Sequence, residues 1–333
     1  MSTPIQTEGP VLNVDPSQVI FKYPTPPDPR LSFFSYFIPI KFPAGEMHVQ
    51  FELERYDAAW NTYKAWCEAH GAGASHVKDR LPMRPRVTLR SGHADDVFVA
   101  ILMADAARRM GVRWPGIDIL YLPYARQDRV ANYGESLSLK VMCDLINLHF
   151  SDITILDPHS DVSSGLLRNP QIINQAEAML AISDDLTREE VAYNPFADPK
   201  VVLVCPDMGA RKKIDHVAKA LGDRRVIYCD KKRDTKTGKL SGFHVNTTGE
   251  LCDADTNFLI VDDLIDGGGT FIGIADILRQ TTAGKVFLAA SFGIFSRGTC
   301  ELAAAFDHIY VAETATFERT FSQSFTNAKA FSK

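Results

Sequence analysis

The chain lacks any run of about 18 consecutive apolar residues, which excludes a membrane-spanning helix of ordinary length. Its opening, Met1 to Pro10, lacks the basic start and apolar stretch of a secretory leader. Cysteine is sparse: six stand at positions 67, 143, 205, 229, 252 and 300, none in a Cys-x-x-Cys pair. That scatter disfavours a zinc site or a disulfide framework and fits free thiols in a reducing compartment, so a cytoplasmic location is expected. There is no surplus of positive charge either, since 36 Lys and Arg against 41 Asp and Glu leave a net charge of −5. A general nucleic-acid binder would show the opposite balance. The Gly-x-x-x-x-Gly-Lys-Ser/Thr phosphate cradle is missing as well, so any nucleotide is held by other means. What remains is an ordinary globular composition, 45% apolar and 23% charged over 333 residues. That length is enough for two domains with cores of their own.

The first 30 residues hold seven prolines and little periodicity, and predict an extended arm over residues 1–32. Short apolar runs then alternate with helical patterns. "RVTLRSG", "IDILYLP" and "SDITILDPHSD" each read as a strand ending in a polar loop, and "DDVFVAILMADAARRMG" as a helix stopped by Gly111. The pattern repeats in "KVVLVCPDMGA", "RVIYCDKKR", "NFLIVDDLIDGGGT" and "KVFLAASFGIF", with helices between. Near-continuous apolar strands separated by helices predict an α/β fold of two tandem units, each a mainly parallel sheet flanked by helices. The units are expected over residues 33–165 and 166–333. In such sheets ligands gather beyond the carboxyl ends of the strands, where these polar clusters fall. One stretch stands outside the repeat: Tyr56, Trp60, Tyr63 and Cys67 recur at helical spacing. A core-facing stripe is the simpler reading there, and a ligand-binding face the alternative.

The segment Phe258–Thr270, "FLIVDDLIDGGGT", carries the clearest chemistry. A buried strand delivers Asp262 and Asp263, three glycines allow close backbone approach, and a helix begins near Thr270. Backbone N–H groups at such a helix start suit a phosphate, and adjacent carboxylates suit vicinal sugar hydroxyls or magnesium.

This segment resembles the phosphoribosyl-pyrophosphate loop of type I phosphoribosyltransferases and ribose-phosphate pyrophosphokinases. The resemblance implies Rossmann-like, phosphoribosyltransferase-type domains. It also implies ribose-phosphate binding by Asp262, Asp263, Asp266, Gly267, Gly268, Gly269 and Thr270. Five further segments follow the pyrophosphokinase order. "YLPYARQDR" resembles the ATP-site loop, implying roles for Arg126, Gln127 and Arg129, although an Arg-Gln-Asp-Arg run alone is more often a solvated loop. "LDPHSD" implies magnesium and ATP-phosphate roles for Asp157 and His159. "CPDMGARKK" places Asp207 at the ribose or its magnesium. "DKKRD" is similar to a basic catalytic loop, implying that Lys231 and Arg233, with His159, act on the transferred group. An exposed hairpin is the competing reading of that segment. "IKFPAGEMHVQF" resembles the segment that meets a neighbouring subunit's ATP, implying adenine contacts from Phe42 and Glu46 and a homo-oligomer.

The reaction so implied moves the β,γ-diphosphoryl group of Mg-ATP to the anomeric hydroxyl of a ribose 5-phosphoryl acceptor, releasing AMP. Small molecules are the expected partners, with no nucleic acid and no membrane. Ribose 5-phosphate is the expected acceptor. Two departures bear on that identity. Gly267 stands where the usual family loop has threonine, which removes a hydroxyl donor and opens space beside the 5-phosphate. An acceptor esterified further, such as ADP-ribose, would then fit. Residues 54–85 form an insertion relative to the usual family, placed to cover a larger substrate or alter a subunit interface. Ala44 also replaces an acid of the adenine-contacting segment. A phosphoribosyltransferase and a catalytically silent regulatory subunit are the remaining alternatives.

Overall fold

The computed structural model describes residues 33–69, 81–82, 84–90, 92–233, 240–245, 253–314 and 325–327, with the backbone alone at 230–233, 240–245 and 325–327. The arm expected over residues 1–32 and residues 70–80 of the expected insertion lie outside the described residues.

A short hairpin of β1 (Phe37–Lys41) and β2 (Met47–Phe51) opens the described chain, followed by helix α1 (Leu53–Ala69). Four parallel strands then form one sheet in the order β3 (Arg86–Leu89), β4 (Gly116–Ile119), β5 (Ile153–Leu156) and β6 (Gln171–Ile173). Helices α2 (Ala94–Arg109), α3 (Ser138–His149) and α4 (Asp161–Leu166) connect them. Helix α5 (Gln175–Arg188) follows, started by a capping box in which the Asn174 side chain accepts from Glu177 N–H and Glu177 accepts from Asn174 N–H.

The second sheet contains β7 (Val202–Cys205), β8 (Val226–Arg233), β9 (Leu240–Val245), β10 (Phe258–Ile265), β11 (Val286–Gly293), β12 (His308–Thr314) and β13 (Phe325–Asn327). Their spatial order is β13-β12-β11-β10-β7-β8-β9, parallel throughout except for β9, which runs antiparallel to β8. Helices α6 (Arg211–Ala220), α7 (Gly269–Thr281) and α8 (Cys300–Ala305) complete the fold. All eight residues of β11 are buried, as are the first four of β10. Only a strand covered on both faces can carry such an unbroken apolar run. The α/β architecture read from the sequence is therefore the observed one.

Two particulars refine the sequence reading. Strand β6 pairs with β5 over Thr154↔Gln171 to Leu156↔Ile173, so the first sheet continues past residue 165. We place the division at Asn174, where α5 turns to pack against β11, β12 and α6. The aromatic stripe at 56–67 is core-facing as expected, with Tyr56, Trp60, Tyr63 and Cys67 all buried, but it is shared between two clusters. Tyr56 is fully buried and meets Phe33 (5.7 Å), Tyr36 (5.1 Å) and Phe51 (5.3 Å) ring to ring. Among the described residues, Trp60, Tyr63 and Cys67 form a second, smaller cluster with Trp66.

The Tyr56 knot ties α1 and the hairpin to the first sheet. Truncating a buried aromatic side chain of this kind costs about 3–5 kcal/mol. Tyr56→Ala is expected to lower unfolding free energy by about that amount in urea melts, and Tyr56→Phe by much less. Equal stability of Tyr56→Ala and the parent chain would show that α1 does not contribute to the core.

Candidate functional site

The carboxyl ends of β4, β5, β7, β10 and β11 point into one cleft between the two sheets, with a volume of about 1010 Å³. Its walls include Arg126 and Arg129 from the loop after β4, His159 after β5, Asp207 after β7, and Asp262 to Thr270 from β10 into α7. Hydrophobic packing sets the two sheets against each other. Leu120 and Leu156, at the ends of β4 and β5, join the second sheet's core, and Tyr121 stacks on Phe292 at 5.4 Å.

Polar contacts across this seam are made by the chemistry-bearing residues themselves. Lys213, on α6, places Nζ 2.9 Å from Asp157 Oδ1 and 3.3 Å from Asp263 Oδ2. The other Asp157 oxygen accepts from Ser291 Oγ (2.6 Å) and Gln175 Nε2 (3.1 Å). His159 Nδ1 donates to Asp263 Oδ2 at 2.7 Å, because a carboxylate can only accept. Arg126 reaches Asp266 at 3.2 Å.

These contacts sort the protonation states. Burial pushes Asp262 well above the usual carboxylate range, reinforced by the charge of Asp263. Burial pushes Asp263 the same way, but the His159 hydrogen bond and the Lys213 charge outweigh it and hold that carboxyl low. The hydrogen bond to Asp263 raises His159 against partial burial. Lys213 is held charged because Asp263 and Asp157 together exceed its desolvation. Burial raises Asp157, and Lys213 and Ser291 oppose the rise. The acid pair is thus asymmetric: Asp263 is neutralised from within the protein, whereas among the described residues Asp262, which lines the cleft, accepts the Asp263 N–H at 2.9 Å and has no cation in contact.

The glycine loop is built for close approach. Gly268 has φ +77°, and a Cβ there would lie 2.7 Å from Leu302 of α8, so glycine is required on both counts. Beside Gly269 a Cβ would meet nothing within 4 Å, which marks the open mouth of the loop at the start of α7. A Cβ on Gly267 would come 3.3 Å from Arg297 Nε, so the space expected beside Gly267 is bounded by a guanidinium rather than empty.

Most of the residues expected at the site do meet in this cleft: Arg126, Arg129, His159, Asp207, Asp262, Asp263, Asp266 and the loop from Gly267 to Thr270. Gln127 is exposed and does not line it. Phe42 and Glu46 sit apart from it at the β1–β2 turn, closed by Phe42 N–H to Glu46 O (2.8 Å). The three residues expected to bind metal, Asp157, His159 and Asp207, do not form a common ligand cluster among the described residues. Asp157 is occupied by Lys213, Gln175 and Ser291, and His159 is turned onto Asp263. No residue of α1 lines the cleft, so the described part of the expected insertion does not cover a substrate there. Lys231 and Arg233 lie on β8, paired with Phe243 and Leu240 of β9, and their side chains lie outside the described residues.

Lys213, Ser291 and Gln175 escaped the sequence reading. For Lys213 a signal existed, since it stands four residues before the buried Val217 and so shares the inward face of α6, whereas Lys212 points outward at 76% exposure.

Two measurements follow. Lys213→Met removes the cation and leaves Asp157 without a charge partner and Asp263 with His159 as its neutralising partner among the described residues. It should cost about 3 kcal/mol at neutral pH, with the loss shrinking towards pH 4.5 as the carboxyls take up protons. A pH-independent loss would mean that packing, not charge, is what Lys213 supplies. For His159, whose folded pKa is raised, the stabilisation is full below about pH 6.5 and fades as pH rises through the raised value. The melting-temperature gap between the parent chain and His159→Gln should therefore be widest near pH 6 and close towards pH 9.

The comparisons with known proteins agree with this geometry. A family model described as the phosphoribosyl transferase domain matches residues 170–311. The chain is 32% identical over 223 residues to the ribose-phosphate pyrophosphokinase of Pyrococcus furiosus, spanning 65% of this chain and 72% of that one. To the enzyme of the same name from Pyrococcus abyssi it is 27% identical over 282 residues, 83% and 91% of the two chains. Among solved structures, the phosphoribosylpyrophosphate synthetase of Mycobacterium smegmatis shares the fold with a TM-score of 0.63 at 20% identity, over 87% of this chain and 85% of that one. With its paired carboxylates and glycine loop at the seam of two parallel sheets, the chain belongs to the ribose-phosphate pyrophosphokinase family.

Proposed function

We propose that this chain transfers the β,γ-diphosphoryl group of ATP to the anomeric hydroxyl of ribose 5-phosphate and releases AMP. The observation that carries the reading is the shared cleft. An acid pair for sugar hydroxyls, an anion-binding loop at a helix start, and the cations Arg126, Arg129 and Lys213 face one volume. Phosphoryl-type transfer asks little covalent work of a protein and much positioning and charge neutralisation, which is what such a set supplies.

Each residue's part follows from its surroundings. Asp263, fixed by His159 and Lys213, offers a rigid acceptor to one ribose hydroxyl. Asp262, whose carboxyl is raised by burial, gains from a hydroxyl or a cation brought to it. The Gly267–Thr270 loop takes the 5-phosphate through backbone N–H groups. Arg126 and Arg129 stand across the cleft, placed for the ATP phosphates. Lys231 and Arg233, on the β8–β9 hairpin, would close over the transferred group and shed water from it. Phe42 and Glu46, at a hairpin tip away from the cleft, suit the adenine of a neighbouring copy, which requires a homo-oligomer.

Magnesium fits this site as an ion carried mainly by substrate phosphates and water, with Asp207 and the underneutralised Asp262 as its carboxylates. When bound it would supply charge neutralisation on the polyphosphate. An acceptor extended at the 5-phosphate, such as ADP-ribose, is a second reading. It is favoured by Gly267, whose missing side chain leaves the 5-phosphate side of the loop bounded by an exposed arginine.

The test is AMP release with Mg-ATP and ribose 5-phosphate, run beside Mg-ATP and ADP-ribose, with products identified by mass. A 1-diphosphorylated product from either acceptor supports the reaction and chooses the acceptor. Asp262→Asn should then lower kcat/KM for the acceptor by about 100-fold, as expected when a positioning contact is lost. AMP from neither acceptor would overturn the proposal.

A further inference from the structure

Arg297 is absent from every motif considered above, yet it lines the cleft beside Gly267, Gly268 and Gly269. It rides on a turn from Phe295 to Gly298, closed by Gly298 N–H donating to Phe295 O at 2.8 Å. The turn is held rigidly. Ile294 N–H donates to Ile265 O at 2.7 Å, tying it to the last residue of β10, immediately before Asp266. The Phe295 ring is buried against Gly293, where a Cβ would lie 2.3 Å from it. Phe295 also adopts φ 54°, which a bulky residue keeps only where its surroundings dictate it. Backbone strain of this kind fixes where residue 297 emerges.

It emerges over Gly267. Arg297 Nε and Cδ would lie 3.3 and 3.4 Å from a Cβ at that position, so the arginine stem rests where a side chain on residue 267 would otherwise stand. Its charge is also unspent. Arg126 is paired with Asp266 and Lys213 with Asp157 and Asp263, but Arg297 is exposed and has no ion pair or hydrogen bond among the described residues. A guanidinium carries five donors in a planar fork suited to phosphoryl oxygens. Here it faces the open mouth of a loop whose own donors are backbone amides.

We propose that Arg297 grips the acceptor's 5-phosphoryl group from the Gly267 side, and that glycine at 267 is what admits it. The proposal rests on the cleft being the acceptor site, as argued above. Gly267 and Arg297 then act as one specificity device: a side chain at 267 displaces the guanidinium, and loss of the guanidinium leaves the loop with amides alone. The fork can meet one phosphoryl group or two joined in a diphosphate, so the chemistry recognised is a 5-phosphoryl ester in either form.

The experiment compares the parent chain with Arg297→Ala, Arg297→Lys, Gly267→Thr and the Gly267→Thr/Arg297→Ala double variant. Acceptor KM, ATP KM and kcat would be measured with ribose 5-phosphate, ADP-ribose and unphosphorylated ribose. Titration calorimetry of ribose 5-phosphate and ADP-ribose without ATP supplies an affinity independent of turnover. Arg297→Ala should raise the KM and Kd of a phosphorylated acceptor about tenfold or more, with ATP KM and melting temperature nearly unchanged. Arg297→Lys should recover part of the loss, and Gly267→Thr should mimic Arg297→Ala. The double variant should be no worse than either single one. The acceptor losing more affinity reveals whether a monophosphate or a diphosphate is gripped. If the parent chain turns over neither acceptor, the proposed reaction falls, and the calorimetry alone decides Arg297. Unchanged acceptor affinity in Arg297→Ala, or no binding by the parent chain, would overturn the proposal.

Discussion

The site depends on Lys213 more than on any other single group. Its ammonium lies between Asp157, carried by the first sheet, and Asp263, carried by the second. Two carboxylates brought this close in a partly enclosed seam would repel each other, and one would take up a proton. A cation between them lets both sheets present their strand ends to one cleft. Hydrophobic contacts such as Tyr121 on Phe292 hold the sheets together without regard to direction. The ion triad adds the direction, because its distances are met in only one alignment of β5, β10 and α6. Ser291 and Gln175 extend the same constraint by occupying the second oxygen of Asp157.

That arrangement also divides the acid pair. Lys213 and His159 neutralise Asp263 from the protein side, so its role is to hold geometry. Asp262 receives less help, a backbone N–H and the more distant Lys213 charge, and burial still leaves its carboxyl raised. Pairs whose environments push their proton affinities apart mark functional chemistry. Here the asymmetry comes from ordinary packing: one aspartate lies against α6 and the β5 loop, and its neighbour, one residue earlier, lines the cleft without a cation beside it.

What the sequence made legible was local. The β10 strand, the acid pair and the glycine loop are consecutive residues, so their chemistry can be read from spacing. Apolar runs of the kind seen in β11 announce a sheet covered on both faces before any coordinates are known. Lys213 was harder, because its partner Asp263 lies 50 residues away and only the helical phase with Val217 marked it as inward-facing. The Ser291 contact with Asp157 spans 134 residues and left no local trace. The exact place of the division was hard to read for a different reason. Strand β6 is three residues long and mostly exposed, too short for its alternation to be read, and only its pairing with β5 assigns it to the first sheet. Asp157 was expected to bind metal because its segment, "LDPHSD", resembles the family's Asp-x-His segment. Its surroundings supply three donors instead, and nothing in its neighbours along the chain foretells them.

In the reaction proposed here, reaction type and acceptor identity are assigned to different parts of this fold. The carboxylates at the end of β10 are tied through Lys213 and His159 to α6 and to the loop after β5, so altering them disturbs the alignment of the sheets. The side of the cleft proposed for the 5-phosphate is formed by a loop and a turn, 267–270 and 295–298, joined to the cores by backbone hydrogen bonds, by Gly268 against Leu302 and by Phe295. Its side chains can change with little effect on packing, since Gly269 opens on empty space and Arg297 is exposed. A side chain at 267 would press on the Arg297 stem, since a Cβ there would lie 3.3 Å from its Nε, so the two positions are coupled. Substitution at either position therefore alters the acceptor's fit before it alters the chemistry at the anomeric carbon, which is where a fold of this kind has room to change its substrate.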